Sequence, residues 1–240
     1  MRQLGDRLRS FLIWLVALPL FLYGCVLVWL GSFVLRGRGL ENLIKAGCRL
    51  VLFVCGIRVR VTGAENLVHG RQYVLMMNHV NIFDPLVFYA AFPGIARGVE
   101  EESHFRWPVY GGTIRRIGMF PISRKNTQRA IESLGRAAAW IRLRPDYSFA
   151  VLPEGTRTRD GKLGVFKRGG FLLALETKLD ILPLVQRGAY KINRKGSLLI
   201  RPGRVDMAIE PAVATAGAVK ENVDELIERV RGVFLRRLGE

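Results

Sequence analysis

His79 and Asp84 stand five positions apart at the end of an apolar run, YVLMMNHVNIFDP, with Pro85 directly after the aspartate. An imidazole can accept a hydroxyl proton near neutral pH. A neighbouring carboxylate fixes its tautomer and balances the imidazolium that forms. The setting suits the turn between a strand and a helix. No GxSxG elbow offers a serine nucleophile, so the attacking group would be a hydroxyl of the substrate. A plainer alternative makes Asp84 a helix cap and His79 a polar loop residue, and His-x4-Asp alone does not decide between them. The other histidines, His69 and His104, lack comparable company and read as surface residues.

Further along, LPEGTRTRDGKLGVFKRGG gathers anion-binding groups behind a short apolar strand. A loop at the carboxyl end of a strand is a common place for a site. Gly155 allows close backbone approach, and Arg157 can grip a phosphate bidentately. Glu154 would bind a substrate hydroxyl or orient Arg157. Thr156 completes the tetrapeptide, while Thr158 to Gly161 is turn chemistry on a solvated loop. Lys167 precedes Gly169-Gly170 and a helix whose first amides could add donors. Arg124, in GMFPISR, could bring a second guanidinium to the same phosphate. A solvated basic turn would explain the arginines, but not a glutamate-glycine pair behind a buried strand.

These groups need a scaffold. From Gly63 onward strand and helix signals alternate, which implies an α/β domain with a mixed sheet flanked by helices. Strands are predicted at 73–77, 118–122, 148–152 and 181–185, with more between 198 and 209. Helices are predicted from Asp84-Pro85 to about Ala91, over 107–116, after an Asn126 cap to Pro145, over 171–177, and at the C-terminus. The terminal helix shows one apolar face, Val223, Leu226, Ile227, Val230, Phe234 and Leu238.

The N-terminus says where the chemistry takes place. Phe11 to Leu35 carries no charge and is long enough to cross a bilayer. It is too long for a signal-peptide core and no cleavage site follows it. Pro19 and Gly24 could break it into two shorter helices. Arginines flank it on both sides, Arg2, Arg7 and Arg9 before and Arg36 and Arg38 after, whereas a simple span carries its basic excess on one side. The symmetry fits a re-entrant hairpin, with a plain N-terminal anchor as the alternative. A second stretch, LIKAGCRLVLFVCGIRV, carries Lys45 and Arg49 and reads as interfacial. Residues 1–60 are thus expected to form a membrane-embedded helical segment and 61–240 the α/β domain.

Composition agrees. The 240 residues hold 37 Lys+Arg against 20 Asp+Glu, a net charge of +17 that attracts anionic lipids or an acidic carrier protein. No aromatic-interleaved basic module or motif points to nucleic acid. The three cysteines, Cys25, Cys48 and Cys55, form no disulfide or metal pattern and read as small hydrophobes in a reducing compartment. No metal-ligand cluster is visible, and no metal is expected.

Taken in order, these stretches resemble the glycerolipid acyltransferase family, and within it the 1-acylglycerol-3-phosphate acyltransferases, over roughly residues 73–211. Asn78-His79 with Asp84 is similar to the family's first motif, Gly118 to Arg124 to the second, Glu154 to Arg157 to the third, and Ile181 to Val185 to the fourth. Pro121 and Ser123 depart from the second motif. Glu100, Glu101 and Glu102 replace a more usual basic character, and Gln186 stands where a second proline is common.

The resemblance implies acyl transfer to lysophosphatidic acid from acyl-CoA or acyl-carrier protein as co-substrate, without a cofactor. His79 would be the base and Asp84 its orienting acid. Arg124, Glu154, Gly155, Thr156, Arg157 and Lys167 would form the acceptor site, at the cytoplasmic face of a membrane. Alternatives are another lysolipid or glycerol 3-phosphate as acceptor, or a non-catalytic protein that binds anionic membranes.

Overall fold

The structure is a computed structural model and describes residues 2–123 and 126–240. In chain order its elements are α1 (Arg2–Gly31), α2 (Gly37–Val54), β1 (Ile57–Thr62), β2 (Val74–Met77), α3 (Asp84–Ala91), β3 (Ile95–Glu101), α4 (Tyr110–Ile117), β4 (Phe120–Ile122), α5 (Thr127–Arg142), β5 (Tyr147–Val151), α6 (Gly169–Thr177), β6 (Ile181–Arg187), α7 (Ala189–Ile192), β7 (Gly203–Ile209) and α8 (Val223–Leu238). The seven strands form one mixed sheet in the order β1-β7-β6-β2-β5-β3-β4. Every pairing is parallel except β6 with β7.

Helices cover both faces of the sheet, which accounts for the unbroken apolar runs of its central strands. In β2, Leu75 and Met77 enter a core shared with α2, α3 and β1. Val74 and Met76 enter the opposite core, shared with α5, α6 and α8. The alternation of side chains along one strand thus feeds two layers. Because β2, β5, β3 and β4 run parallel, the segments that follow them emerge on one edge of the sheet. Those segments carry His79, Glu154, Glu102 and Ser123.

Several local expectations hold for physical reasons that act over a few residues. The Asn126 side chain accepts the Arg129 N–H at 3.0 Å and caps α5. The apolar face of α8 is buried at Val223, Leu226, Ile227, Val230 and Phe234. Other segments differ from expectation. The second apolar stretch is two elements, α2 and β1, parted at Gly56. There φ is +67°, and a Cβ would lie 2.8 Å from Pro202. The sheet therefore begins at Ile57, within the segment assigned to the membrane, and β3 is a strand that sequence signals did not mark.

α1 is long and apolar enough to cross a membrane by length and composition. It passes through Pro19 and Gly24 as one helix, so the chain turns back after it and not within it. One stripe of α1 lies on the body. Ser10 bonds the backbone of Ile200, Trp14 stacks on Phe83 at 6.1 Å and donates to the Leu198 carbonyl, and Thr113 donates to the Cys25 carbonyl. The remaining surface is apolar and exposed, including Leu4, Leu8, Phe11, Leu12, Leu15, Val16 and Tyr23.

α2 is joined to the body more firmly. Glu41 and Arg97 are buried, and Arg97 Nη1 lies 2.6 Å from Glu41 Oε2. The guanidinium also donates to the carbonyls of Ile117 and Ala96, each at 2.5 Å. Lys45, expected at an interface, is buried with its Nζ 2.6 Å from the Gly94 carbonyl.

Candidate active site

β2 delivers Asn78 and His79 to the sheet edge, and Asp84 opens α3 five residues later. Asp84 is wholly buried and His79 nearly so. Asp84 Oδ2 lies 2.7 Å from His79 Nδ1. The same carboxylate accepts the N–H of Val80 at 2.6 Å and of Asn81 at 3.1 Å, so it also closes the turn into the helix. Asp84 is not the cap of α3, as the plainer reading had it: Phe83 stands at the N-cap with no side-chain cap bond, and the carboxylate holds the turn before the helix together with the imidazole. A carboxylate accepts, so Nδ1 carries the proton and Nε2 is left with a lone pair for a hydroxyl.

The loop after β5 is tied to this turn. Glu154 Oε1 accepts the His79 N–H at 2.6 Å, and Oε2 accepts the Gly164 N–H at 2.8 Å. The Thr158 N–H donates to the His79 carbonyl at 2.9 Å. Glu154 was expected to bind a hydroxyl or orient Arg157. Buried, with an oxygen on each loop, it braces them instead. Burial pushes its carboxyl up, against the two N–H bonds that pull it down.

Gly155 has φ +64°, and a Cβ there would sit 3.0 Å from Cε of Lys167 and 3.1 Å from its Nζ. The ammonium thus lies over the glycine, close to the backbone that a phosphate would approach. Thr156 is exposed. Arg157 is half-buried, and its guanidinium has no hydrogen bond or ion pair with the described residues. Arg159 is exposed, as the turn reading expected, and its carbonyl accepts the Tyr190 hydroxyl at 2.7 Å. Arg124 lies outside the described residues.

The sequence reading missed one residue beside the site and misjudged another away from it. Lys195, on the segment between α7 and β7, donates to Thr156 Oγ1 at 2.7 Å and to the Arg157 carbonyl at 3.3 Å. No local signal separates it from the other basic residues. His104 is not a lone surface residue. Its Nδ1 lies 2.6 Å from Glu100 Oε1, and the Tyr110 hydroxyl donates to Oε2 at 3.2 Å. Burial pushes Glu100 up, but His104, the Glu101 N–H and Tyr110 outweigh it and hold the carboxyl below the usual range.

Residues 58–187, more than half of the chain, match the family model described as Acyltransferase. The chain belongs to the acyltransferase family. Among the relatives of this acyltransferase is the 1-acyl-sn-glycerol-3-phosphate acyltransferase alpha of Ovis aries. It is 30% identical over 202 residues, which cover 83% of this chain and 70% of that protein. The 1-acyl-sn-glycerol-3-phosphate acyltransferase of Limnanthes douglasii is 28% identical over 189 residues, 79% of this chain and 66% of that protein. The chain therefore spans about two thirds of the length of these relatives. The fold matches the crystal structure of the 1-acyl-sn-glycerophosphate (LPA) acyltransferase PlsC from Thermotoga maritima with a TM-score of 0.82. That match has 24% identity and covers 100% of this chain and 98% of that one, so it includes the N-terminal helices of the acyltransferase. The matched family span holds His79, Asp84, Glu154 to Arg157 and Lys167, whereas Lys195 falls beyond it.

Proposed function

We propose that this acyltransferase moves a fatty acyl group from acyl-CoA or acyl-carrier protein to the free hydroxyl of lysophosphatidic acid, forming phosphatidic acid. The carrying observation is the His79–Asp84 pair, whose Nε2 is left to accept a proton on the loop braced to Arg157. His79 takes the acceptor's hydroxyl proton while the oxygen attacks the thioester carbonyl. The C–S bond then breaks, and the imidazolium returns the proton to the leaving thiolate. Asp84 balances the transient charge. Arg157, Lys167 and Lys195, with Arg124 as the sequence motif suggests, hold the phosphate and convert binding into alignment. The thioester carries the group to be transferred, so the scheme needs no metal or cofactor. The names of the relatives favour lysophosphatidic acid over other acceptors.

The test is an acceptor panel with the purified full chain and each thioester donor. Phosphatidic acid formed faster than any other product supports the reading, and preferential acylation of glycerol 3-phosphate or another lysolipid overturns it. Arg157→Lys replaces a planar fork by a point charge and is expected to lose about 2–3 kcal/mol in kcat/KM for lysophosphatidic acid. Arg159→Lys should be nearly silent. Equal, small effects at both positions would remove Arg157 from the phosphate site.

We further place the site at the cytoplasmic face of a membrane. α1 touches the body from Ser10 to Cys25 while its outer surface is apolar, which suits a helix lying in one leaflet. Trp14 on that helix stacks on Phe83, one residue from Asp84, so lipid and base are near neighbours. Basic residues at both ends of α1 favour one anionic surface. Cysteines introduced at positions 3 and 36 should be labelled from the same, cytoplasmic side. Labelling from opposite sides would restore a simple span.

A further inference from the structure

Gln186 is the penultimate residue of β6, the strand beside β2, and is 1% exposed. It is clamped to Asn78. The Gln186 N–H donates to Asn78 Oδ1 at 2.9 Å, and its carbonyl accepts Asn78 Nδ2 at 3.0 Å. The side-chain amide then reaches past that clamp. Nε2 lies 2.9 Å from the Asn78 carbonyl and 2.8 Å from Asp84 Oδ1.

Both neighbours are acceptors, so the amide can be oriented only one way. Turning it over would set a carbonyl oxygen against a carbonyl and a carboxylate. This orientation leaves Gln186 Oε1 buried without a hydrogen-bond partner among the described residues. The fold tolerates that unpaired acceptor where it secures two donated bonds, one of them to the carboxylate that faces His79.

The partners of Asp84 show why this matters. Oδ2 is shared by His79 and the Val80 and Asn81 amides, while Oδ1 receives the Asn81 amide and Gln186. Apart from His79, Gln186 is the one side chain in this set, and it is the one donor that comes from another strand. The two backbone amides move with the turn. Gln186 ties the carboxylate plane to the sheet. A proline at this position has neither the backbone N–H nor the amide and could make none of these donated bonds.

We infer that Gln186 is a positioning residue for acyl transfer: through Asp84 it fixes the angle and tautomer of His79. The inference rests on the proposed reading only in taking His79 as the base, and not on which acceptor is used.

The test compares Gln186→Met, which keeps the volume and the backbone bonds to Asn78 but loses the donor, with Gln186→Glu, which keeps the shape. In Gln186→Met, kcat is expected to fall about 10-fold to 100-fold, the scale on which groups that orient a functional side chain act, with KM for the acceptor unchanged. Gln186→Glu should lose at least as much, because it faces Asp84 with a second carboxyl, and it decides the matter if the methionine variant is unstable.

A substrate-free measurement separates this claim from the assignment of the acceptor. In full-length protein with 15N-labelled histidine, the Nδ1 proton of His79 is expected downfield in the wild type and shifted or lost to exchange in the variants. An unchanged kcat with an unchanged ring signal would overturn the inference, as would a loss confined to KM. A wild-type protein that ignores lysophosphatidic acid but shows the altered ring signal in Gln186→Met would leave Gln186 in place and dismiss the acceptor.

Discussion

Replacing His79 by alanine is expected to lower kcat for acyl transfer by about 10³-fold, within the range of a lost general base. The hydroxyl of the acceptor is a poor nucleophile until its proton is taken, and Nε2 is the group the structure leaves ready to take it. KM should change little, because the phosphate is held by other residues, and the bonds that tie their loop to position 79 are made by its backbone, which alanine keeps. Asp84→Asn offers an independent check with the shape preserved. Its amide would meet His79, two backbone N–H groups and Gln186, four partners that now share a carboxylate. With an NH2 facing Nδ1, the tautomer reverses and Nε2 carries a proton it should be accepting. A loss of about 10² to 10⁴ in kcat follows. Both variants should be checked for native circular dichroism in the same detergent. Turnover of a folded His79→Ala protein within tenfold of wild type would end the role of His79 as base.

The second large effect is on stability. Glu41→Ala leaves the Arg97 guanidinium buried without its countercharge, which is expected to cost about 3–5 kcal/mol. The two remaining carbonyl bonds of Arg97 cannot neutralise it. Since each half of the pair has been removed from water, replacing both by methionine should return most of the loss, because no orphan charge remains. Thermal unfolding in detergent, followed by circular dichroism, reads both variants. A single variant as stable as the double would show that the pair is not the link between α2 and the sheet. The same reasoning makes α2 part of the folded body. A chain cut before β1 loses Glu41 and Lys45 together, and it should fail to fold rather than merely leave the membrane.

What could be read from the sequence was local. The turn from Asn78 to Pro85 announces itself because a strand end, a histidine with its aspartate and a helix start are packed into a few residues. The Asn126 cap and the face of α8 are equally short-range. The errors share a cause. Lys45 was assigned to an interface because its partner, the Gly94 carbonyl, lies far along the chain. Glu154 looked like a ligand group because the two amides it accepts, of Gly164 and His79, lie ten and 75 residues away along the chain. His104 seemed solitary although Glu100 is only four residues away, because β3 was not recognised as the strand that presents it. Gln186 was visible as a departure from a proline, but its meaning depends on Asp84, at the start of α3 and far from it in sequence.

The brace made by Glu154 has a further consequence. One carboxylate fixes the backbone of His79 and, through Gly164, the far end of the loop that carries Arg157. The span between the base and the backbone that carries Arg157 is therefore set by the protein, and only the arginine side chain reaches from that fixed point. On the proposed reading the enzyme gauges a headgroup by length. It accepts a hydroxyl that falls at a set reach from the phosphate and passes over one set a carbon nearer or farther, whatever tail follows it into the bilayer.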